Sequence, residues 1–134
     1  MAEFNLKIVT PDGICFDGDV KRIVVRTVTG DVGIMARHAN FVSPLAVGEA
    51  RVTYPDGKVR SGALAGGMVS VSGGETTVVA STFEWEDEID VERAERALKK
   101  AQNRLEKYKK GDAEWKMAEF KLKRALNRIN VKDK

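Results

Sequence analysis

The sequence has one cysteine, one histidine and no long hydrophobic run. Cys15 has no intramolecular disulfide partner, and neither Cys15 nor His38 has the companions that a thiolate or histidine metal cluster needs. The single histidine also removes most nucleophile–base pairs of enzymes. No window approaches the roughly 18 apolar residues of a membrane-spanning helix, and the first residues lack a signal-peptide pattern. We therefore expect a soluble, non-catalytic chain that stays in the compartment where it is made.

Glycine-rich phosphate loops are absent as well. No GxxxxGK[ST] motif occurs, and no GxGxxG follows a predicted strand. The glycine pairs at 66–67 and 73–74 are interpreted as turn glycines. His38 could serve as a general base, but without a nearby nucleophile motif a structural or interface role is the stronger interpretation. An enzyme is therefore the weaker hypothesis.

Charge is distributed unevenly along the 134 residues. Residues 1–88 contain 8 basic and 12 acidic residues, a net charge of −4, whereas residues 89–134 contain 15 and 8, a net charge of +7. A basic element of this kind favours an acidic partner surface. The hydrophobic fraction of 43% supports a packed core.

Residues 1–84 have the pattern of a small β domain. Short segments rich in β-branched residues alternate with turn signals such as Pro-Asp-Gly at 11–13 and 55–57. This pattern predicts an antiparallel β-sandwich of about ten short strands.

Residues 85–134 are predicted to form a two-helix antiparallel hairpin. An acidic connector at 84–88 precedes a segment whose apolar residues recur at helical spacing, and Asp87 or Asp90 can cap the first helix. The break at Gly111-Asp112 separates it from the second helix. Because the apolar stripes are rich in alanine, the helices bury little area against one another. The sequence thus favours a hairpin that opens.

Three charged clusters leave alternatives open. Asp90, Arg93 and Ala94 share one side of the first helical turns, either as a cap with an ion pair or as a small nucleotide site. The acidic connector is a solvated linker or a carboxylate cation site. The basic residues of the second helix are a solvated face or a nucleic-acid surface; they are Lys116, Lys121, Lys123, Arg124 and Arg128.

The segment 30–39 reads Gly-Asp-Val-Gly-Ile-Met-Ala-Arg-His-Ala. It resembles the Gly-Glu-Leu-Gly-Ile-x-x-x-His pattern of the ε subunit of bacterial F-type ATP synthases. Val-Thr-Pro-Asp-Gly at 9–13, Ala-Gly-Gly at 65–67 and Lys-Arg-Ala-Leu-Asn-Arg-Ile at 123–129 also resemble that family. The resemblance covers essentially the whole chain, with its parts in order.

The resemblance implies a ten-stranded sandwich on the central stalk, which joins the γ subunit to the ring of c subunits and transmits torque for ion-gradient-driven ATP synthesis. Asp31 and His38 match the loop that faces the ring, and Ala36-Arg37 stands where the pattern commonly has Pro-Gly. It also implies a peripheral location at the cytoplasmic face of the cell membrane, with membrane association only through the complex. We expect no required cofactor, no metal and no nucleic-acid partner.

In this family the helical domain switches between a folded state and an extended state that blocks ATP hydrolysis in the α/β hexamer. The five basic residues of the second helix are then expected to face an acidic segment of β. The segment 89–94 also matches a motif that binds ATP as an effector in some bacterial members. The implied contacts are Glu84, Ile89, Asp90, Arg93, Ala94 and Lys100. Lys100 replaces an arginine and loses its bidentate fork, so we expect weak ATP binding or none.

Overall fold

A computed structural model describes residues 2–133 of the chain. The chain divides between Trp85 and Glu86 into a β unit and a helical unit. The sequence placed the domain boundary one residue earlier, and the first and last residues of its predicted domains, Met1 and Lys134, lie outside the described residues. Among the described helices, none is both long and apolar enough to cross a membrane.

The β unit contains seven strands in one continuous hydrogen-bonded sheet. The strands are β1 (Phe4–Thr10), β2 (Gly13–Val20), β3 (Arg22–Thr27), β4 (Gly30–Met35), β5 (Phe41–Thr53), β6 (Val59–Ser72) and β7 (Glu75–Trp85). Their order across the sheet is β2-β1-β7-β6-β5-β3-β4. β1 pairs in parallel with β7, and every other neighbouring pair is antiparallel. The predicted β-sandwich is confirmed, but about ten strands was wrong.

The long strands β5, β6 and β7 explain the smaller strand count. In β7 the buried side chains are Thr76, Val78 and Ala80 in the first half, and then Phe83 and Trp85. The buried positions therefore change from even to odd residues, so the two halves turn opposite faces toward the core. In β5 the buried positions change from odd to even residues, and β6 buries the four consecutive residues 62–65 before only the odd positions 69 and 71. The sequence pattern breaks where each long strand changes face, which made one strand look like two.

The glycines at 66 and 67 allow β6 to continue through this change. We interpreted them as turn residues, which was wrong, since both lie inside β6. Both have positive φ, +72° and +120°, and a Cβ added to Gly67 would lie 2.0 Å from the carbonyl oxygen of Val79. Only glycine fits this close approach between β6 and β7. The pair at 73–74 does form a turn, as predicted.

The sandwich core consists of aliphatic side chains with an aromatic group near one end. Leu6, Ile8, Ile23, Val52 and Val78 are fully buried. The aromatic rings of Phe16, Tyr54, Phe83 and Trp85 form a connected cluster, with ring centroids 4.9–6.0 Å apart. A core of this kind stabilises the β unit chiefly by removing apolar surface from water.

The helical unit begins with a short 3₁₀ turn at Glu86–Glu88 and continues with α1 (Val91–Lys107) and α2 (Ala113–Asp133). Of the two predicted caps, Asp90 is the one used: its carboxylate accepts a hydrogen bond from the backbone N–H of Arg93 at 3.1 Å. Gly111, at φ +94°, lies in the link between the helices. The five-residue link and the contacts between α1 and α2 give the predicted helical hairpin.

Alanines form the buried seam of the hairpin. Ala94 and Ala101 of α1 and Ala118 and Ala125 of α2 are each at most 2% exposed. Within each helix the two alanines are seven residues apart, so they share one face. Ala101 and Ala118 lie at similar distances along the chain from the link, and so do Ala94 and Ala125. At about 0.8 kcal/mol per buried methyl group, the four alanines contribute about 3 kcal/mol, far less than four leucines.

Candidate functional site

The predicted nucleotide contacts in the helical unit lie around the first turns of α1. Asp90 and Arg93 are exposed, and the Asp90 carboxylate is engaged as the helix cap. Lys100 is also exposed and lies two turns beyond Arg93 on the same side of the helix. Arg93 and Lys100 can therefore contact one phosphate chain together. The capping bond confirms the predicted cap, but no ion pair between Asp90 and Arg93 accompanies it among the described residues.

The two residues expected to line the base are not accessible. Ile89 is 5% exposed and Ala94 is 2% exposed. A base could contact Ala94 fully only where the alanine seam is opened. ATP binding at these positions stays a prediction.

Glu84 lies in the β unit rather than in a connector. It belongs to β7, opposite Ala63 of β6, and is half-buried. The next residue, Trp85, is buried, and the guanidinium of Arg60 lies 4.1 Å from its ring centroid. The interpretation of 84–88 as a polar connector was therefore wrong for its first two residues, because their backbones continue the β6–β7 ladder. No group of three or more metal-ligating side chains occurs in residues 2–133, so the cation-site alternative has no support there.

The two residues predicted to face the c-ring lie at opposite ends of β4. Asp31 is within β4, and its carboxylate accepts hydrogen bonds from Arg26 Nε at 2.9 Å and Nη2 at 3.5 Å. This contact raises the pKa of the Arg26 guanidinium. The hydrogen bond to Asp31 is the larger cause, and the negative charge of Asp31 is the smaller one. Asp31 is therefore held by Arg26, and it is not part of the loop that contains His38.

His38 lies in the loop that follows β4. Its ring is 5.7 Å from the ring of Phe41, and Nδ1 lies 2.7 Å from the carbonyl oxygen of Ala39. Arg37 just before it has φ +66°, and among the described residues it is the only non-glycine with positive φ. This is the position where the ε pattern commonly has glycine. The loop keeps the left-handed backbone although arginine replaces the residue that adopts it freely.

The five basic residues of α2 do not form one narrow line. At 3.6 residues per turn they cover an arc of about 160°. Lys123 pairs with Glu119 at 3.4 Å, and the guanidinium of Arg124 lies 5.8 Å from the ring of Phe120. Lys121, Arg124 and Arg128 are half-buried, whereas Lys116 and Lys123 are exposed. Their role toward an acidic partner stays a prediction, and the geometry divides them between two sides of the helix.

An apolar row crosses the outer face of the sheet, which the sequence analysis missed. The ladders pair Ile14 with Val9, Val9 with Val79, Val79 with Met68, and Met68 with Pro44. Directly paired residues share a face, so these five side chains form one line across β2, β1, β7, β6 and β5. Ile14 is 65% exposed, Val79 50% and Met68 42%. We call this line the apolar row.

A cavity of about 300 Å³ opens beside the link of the hairpin. It is lined by Arg104, Tyr108, Ala113, Glu114, Met117 and Ala118. Met117 is 56% exposed and Tyr108 36%. The cavity thus combines apolar walls with one cation and one carboxylate at its margin.

Comparison with known families assigns both units. Residues 3–86 match the family described as ATP synthase, Delta/Epsilon chain, beta-sandwich domain, and residues 87–133 match its long alpha-helix domain. The ATP synthase epsilon chain of Ruminococcus albus is 42% identical over 135 residues, covering 100% of this chain and 99% of the relative. The epsilon chain of an Exiguobacterium species is 36% identical, covering 99% and 98%.

Solved structures agree with this assignment. A chain of the Euglena gracilis mitochondrial ATP synthase, from a structure of OSCP, F1 and the c-ring, has a TM-score of 0.78 and 26% identity, covering 92% of this chain and 77% of that one. A chain of the Tetrahymena thermophila mitochondrial ATP synthase central stalk and c-ring shares the fold, with a TM-score of 0.60 at 13% identity and coverage of 96% and 95%. The chain therefore belongs to the ATP synthase delta/epsilon family, as a relative of the bacterial epsilon chains.

Proposed function

We propose that this chain is a non-catalytic central-stalk subunit that joins the γ subunit to the c-ring and restrains ATP hydrolysis through its helical unit. Family membership supports a place in an ATP synthase. The observation that carries the coupling role is the apolar row on the β unit. The thin alanine seam supports the regulatory role. As a subunit of an ATP synthase, the chain would be a peripheral protein at the cytoplasmic face of the membrane, held there by the other subunits of the complex.

The apolar row supports docking of the β unit onto another subunit. Single exposed apolar residues are common on soluble proteins, whereas a contiguous apolar patch marks an interaction site. Four strand spacings of about 4.8 Å make the row about 19 Å long. That length suits the centre of a protein interface, which is more apolar than its rim. We assign the row to the contact with γ.

The second contact that coupling requires, the contact with the c-ring, is proposed for the loop after β4. His38 is packed on Phe41, and Arg37 fixes the direction of the loop by its left-handed backbone. A loop held in this way presents its side chains in a defined geometry. We assign His38, together with Asp31 at the far end of β4, to the c-ring contact that the family resemblance implies.

The helical unit suits a switch between a closed and an extended state. The 38 residues of α1 and α2 would span nearly 60 Å if placed end to end. The helices consist largely of strong helix formers, while the four buried alanines between them contribute only about 3 kcal/mol and larger apolar residues such as Leu98, Leu105 and Leu122 are only half-buried. Contact with an acidic surface of the α/β hexamer would therefore compete readily with closure of the hairpin.

ATP would act in this scheme as an effector rather than a substrate. Arg93 and Lys100 supply cations on one side of α1. A ligand shifts a conformational equilibrium only by its difference in affinity for the two states. ATP would thus favour the closed hairpin if its affinity for that state is the higher one.

Deletion of the hairpin in the assembled enzyme tests the proposed function. A chain that ends at Glu88 keeps all seven strands and their core, so we expect it to fold and to assemble with the other subunits. ATP hydrolysis by the reconstituted complex should rise relative to the complex with the full chain, while proton- or sodium-driven synthesis remains coupled. Equal hydrolysis by both complexes would contradict the regulatory role, and failure of the truncated chain to assemble would contradict the coupling role of the β unit.

A further inference from the structure

A cavity on the outer surface of the β unit lies outside the contacts assigned above. It has a volume of about 260 Å³ and is lined by Arg22, Val24, Arg51, Thr53 and Val59. Ile23 of β3 and Val52 of β5 are fully buried, so alternation along these strands turns their neighbours outward. We call this cavity the arginine site.

Strand register brings the two arginines of this site together. Arg22 of β3 lies directly opposite Thr53 of β5, and Val24 lies directly opposite Arg51. Arg22 and Arg51 are therefore diagonal neighbours on one face, with backbones about 7–8 Å apart, a distance that two long side chains can span. Val59 of β6 pairs with Thr53 on its other side. Two guanidinium groups, a hydroxyl and two valines thus surround one small space.

Most hydrogen-bond donors of the two arginines are available to a ligand. Among residues 2–133, Arg22 forms no ion pair, and the ion pair of Arg51 is long, with Nε 3.8 Å from a carboxylate oxygen of Glu49. Both arginines are exposed. A Cβ added to Gly33 would lie 3.3 Å from Nη2 of Arg22, so this glycine leaves room for the guanidinium to lie against β4.

The chemistry of the arginine site matches a phosphoryl group better than a carboxylate. A carboxylate engages one guanidinium fork with its two oxygens. A phosphoryl group has three terminal oxygens and a charge of about −1.5 to −2, so it can accept hydrogen bonds from both forks and from the Thr53 hydroxyl while it balances two positive charges. The volume is slightly below the roughly 300 Å³ at which pockets for drug-sized ligands begin, which suits a small ligand.

We propose that the arginine site binds the phosphoryl group of a phosphate monoester, held by Arg22, Arg51 and Thr53, with its organic substituent against Val24 and Val59. Burial of the substituent against the valines favours an ester over inorganic phosphate. A soluble monoester and the headgroup of a phosphatidic acid lipid both present this chemistry.

The arginine site and the apolar row lie on different layers of the sandwich. The row crosses β5 in its first half, at Pro44, whereas the site uses Arg51 and Thr53 in the second half. Because the buried positions of β5 change from odd to even residues between these halves, their outward surfaces are opposite. A subunit docked on the row therefore does not have to cover the site, and the proposed ligand does not depend on the proposed function.

Titration of the isotope-labelled full-length chain with phenyl phosphate, followed by amide chemical shifts, tests the site. The site variant combines Arg22→Gln and Arg51→Gln. The control variant combines Lys109→Gln and Lys110→Gln, which are exposed in the link between α1 and α2 and remove the same charge. A third variant, Arg22→Lys with Arg51→Lys, keeps the charge and removes the forks. Thermal unfolding of each variant checks that the fold is kept.

We expect phenyl phosphate to shift the amide signals of β3 and β5. The site variant should bind it about 25-fold more weakly, because each exposed charge-assisted contact contributes about fivefold. The control should bind within about twofold, since its charges are distant and screened by salt, and the lysine variant should lie between the two. Benzoate, a carboxylate on the same ring, should bind more weakly than phenyl phosphate. Equal losses in the site and control variants, no shifts in β3 and β5, or equal affinity for benzoate would each overturn the proposal.

Vesicles identify the source of the phosphoryl group. Each full-length variant is sedimented with phosphatidylcholine vesicles that contain or lack phosphatidic acid. Sedimentation that requires phosphatidic acid, and that the site variant loses while the control keeps it, would identify a lipid headgroup as a ligand. Binding of phenyl phosphate without such sedimentation would identify a soluble monoester. Binding of neither probe would overturn the proposal.

Discussion

Replacement of Val79 by lysine tests whether the apolar row is the contact with γ. Val79 lies in the middle of the row and is 50% exposed. Full burial of a valine contributes about 1.5–3 kcal/mol, so covering the exposed half contributes about 1 kcal/mol to docking. Lysine loses this contribution, and its ammonium group must also be desolvated at the contact, at a cost at least as large. The total of about 2–3 kcal/mol corresponds to binding roughly 30- to 150-fold weaker.

Val59→Lys is the matched control. Val59 is 60% exposed on β6, outside the row and near Arg22 and Arg51. The same substitution there changes charge and β propensity equally, and on a strand surface it should alter the free energy of unfolding by at most about 1 kcal/mol. Thermal unfolding of both variants checks this.

The assay is a titration of each labelled chain with purified γ subunit at fixed ionic strength. We expect Val59→Lys to bind within threefold of the unsubstituted chain and Val79→Lys to show the large loss. Unchanged affinity of Val79→Lys, or an equal loss in both variants, would refute the assignment of the row to γ.

Two further predictions concern backbone positions. Gly67→Ala should lower the free energy of unfolding by about 2–5 kcal/mol in chemical denaturation, since a Cβ 2.0 Å from the Val79 carbonyl oxygen adds overpacking to the strain of φ +120°. Gly74→Ala, whose Cβ meets nothing within 4 Å, is its control and should lower it by only about 1–2 kcal/mol; equal losses would show that the close approach is relieved. Arg37→Gly should raise the midpoint of thermal unfolding, because relief of the left-handed strain of about 1–2 kcal/mol exceeds the added chain entropy of about 0.4–1 kcal/mol. A lower midpoint would mean that the arginine side chain contributes contacts that outweigh its strain.

Local signals in the sequence predicted the elements that depend on neighbouring residues. The helical period, the cap at Asp90 and the break at Gly111-Asp112 all act within a few residues, and the helices begin and end close to them. The glycines at 66–67 show the limit of such signals. A glycine pair is common both in turns and in bulges, and only the pairing of β6 with β7 decides between them.

The apolar row could not be predicted because it depends on strand register. Val9 and Val79 are 70 residues apart and become neighbours through the parallel pairing of β1 with β7. Each row residue taken alone is an ordinary exposed position on an alternating strand.

The change of face within β5, β6 and β7 has a mechanical consequence. Where two separate sheets form a sandwich, a shearing force between them is resisted only by side-chain packing. Here three polypeptide segments run from one layer into the other, so covalent bonds and the ladders beside them transmit the force. A protein placed between a rotating shaft and its ring would twist little under load, and the angular step of one would reach the other with little lag.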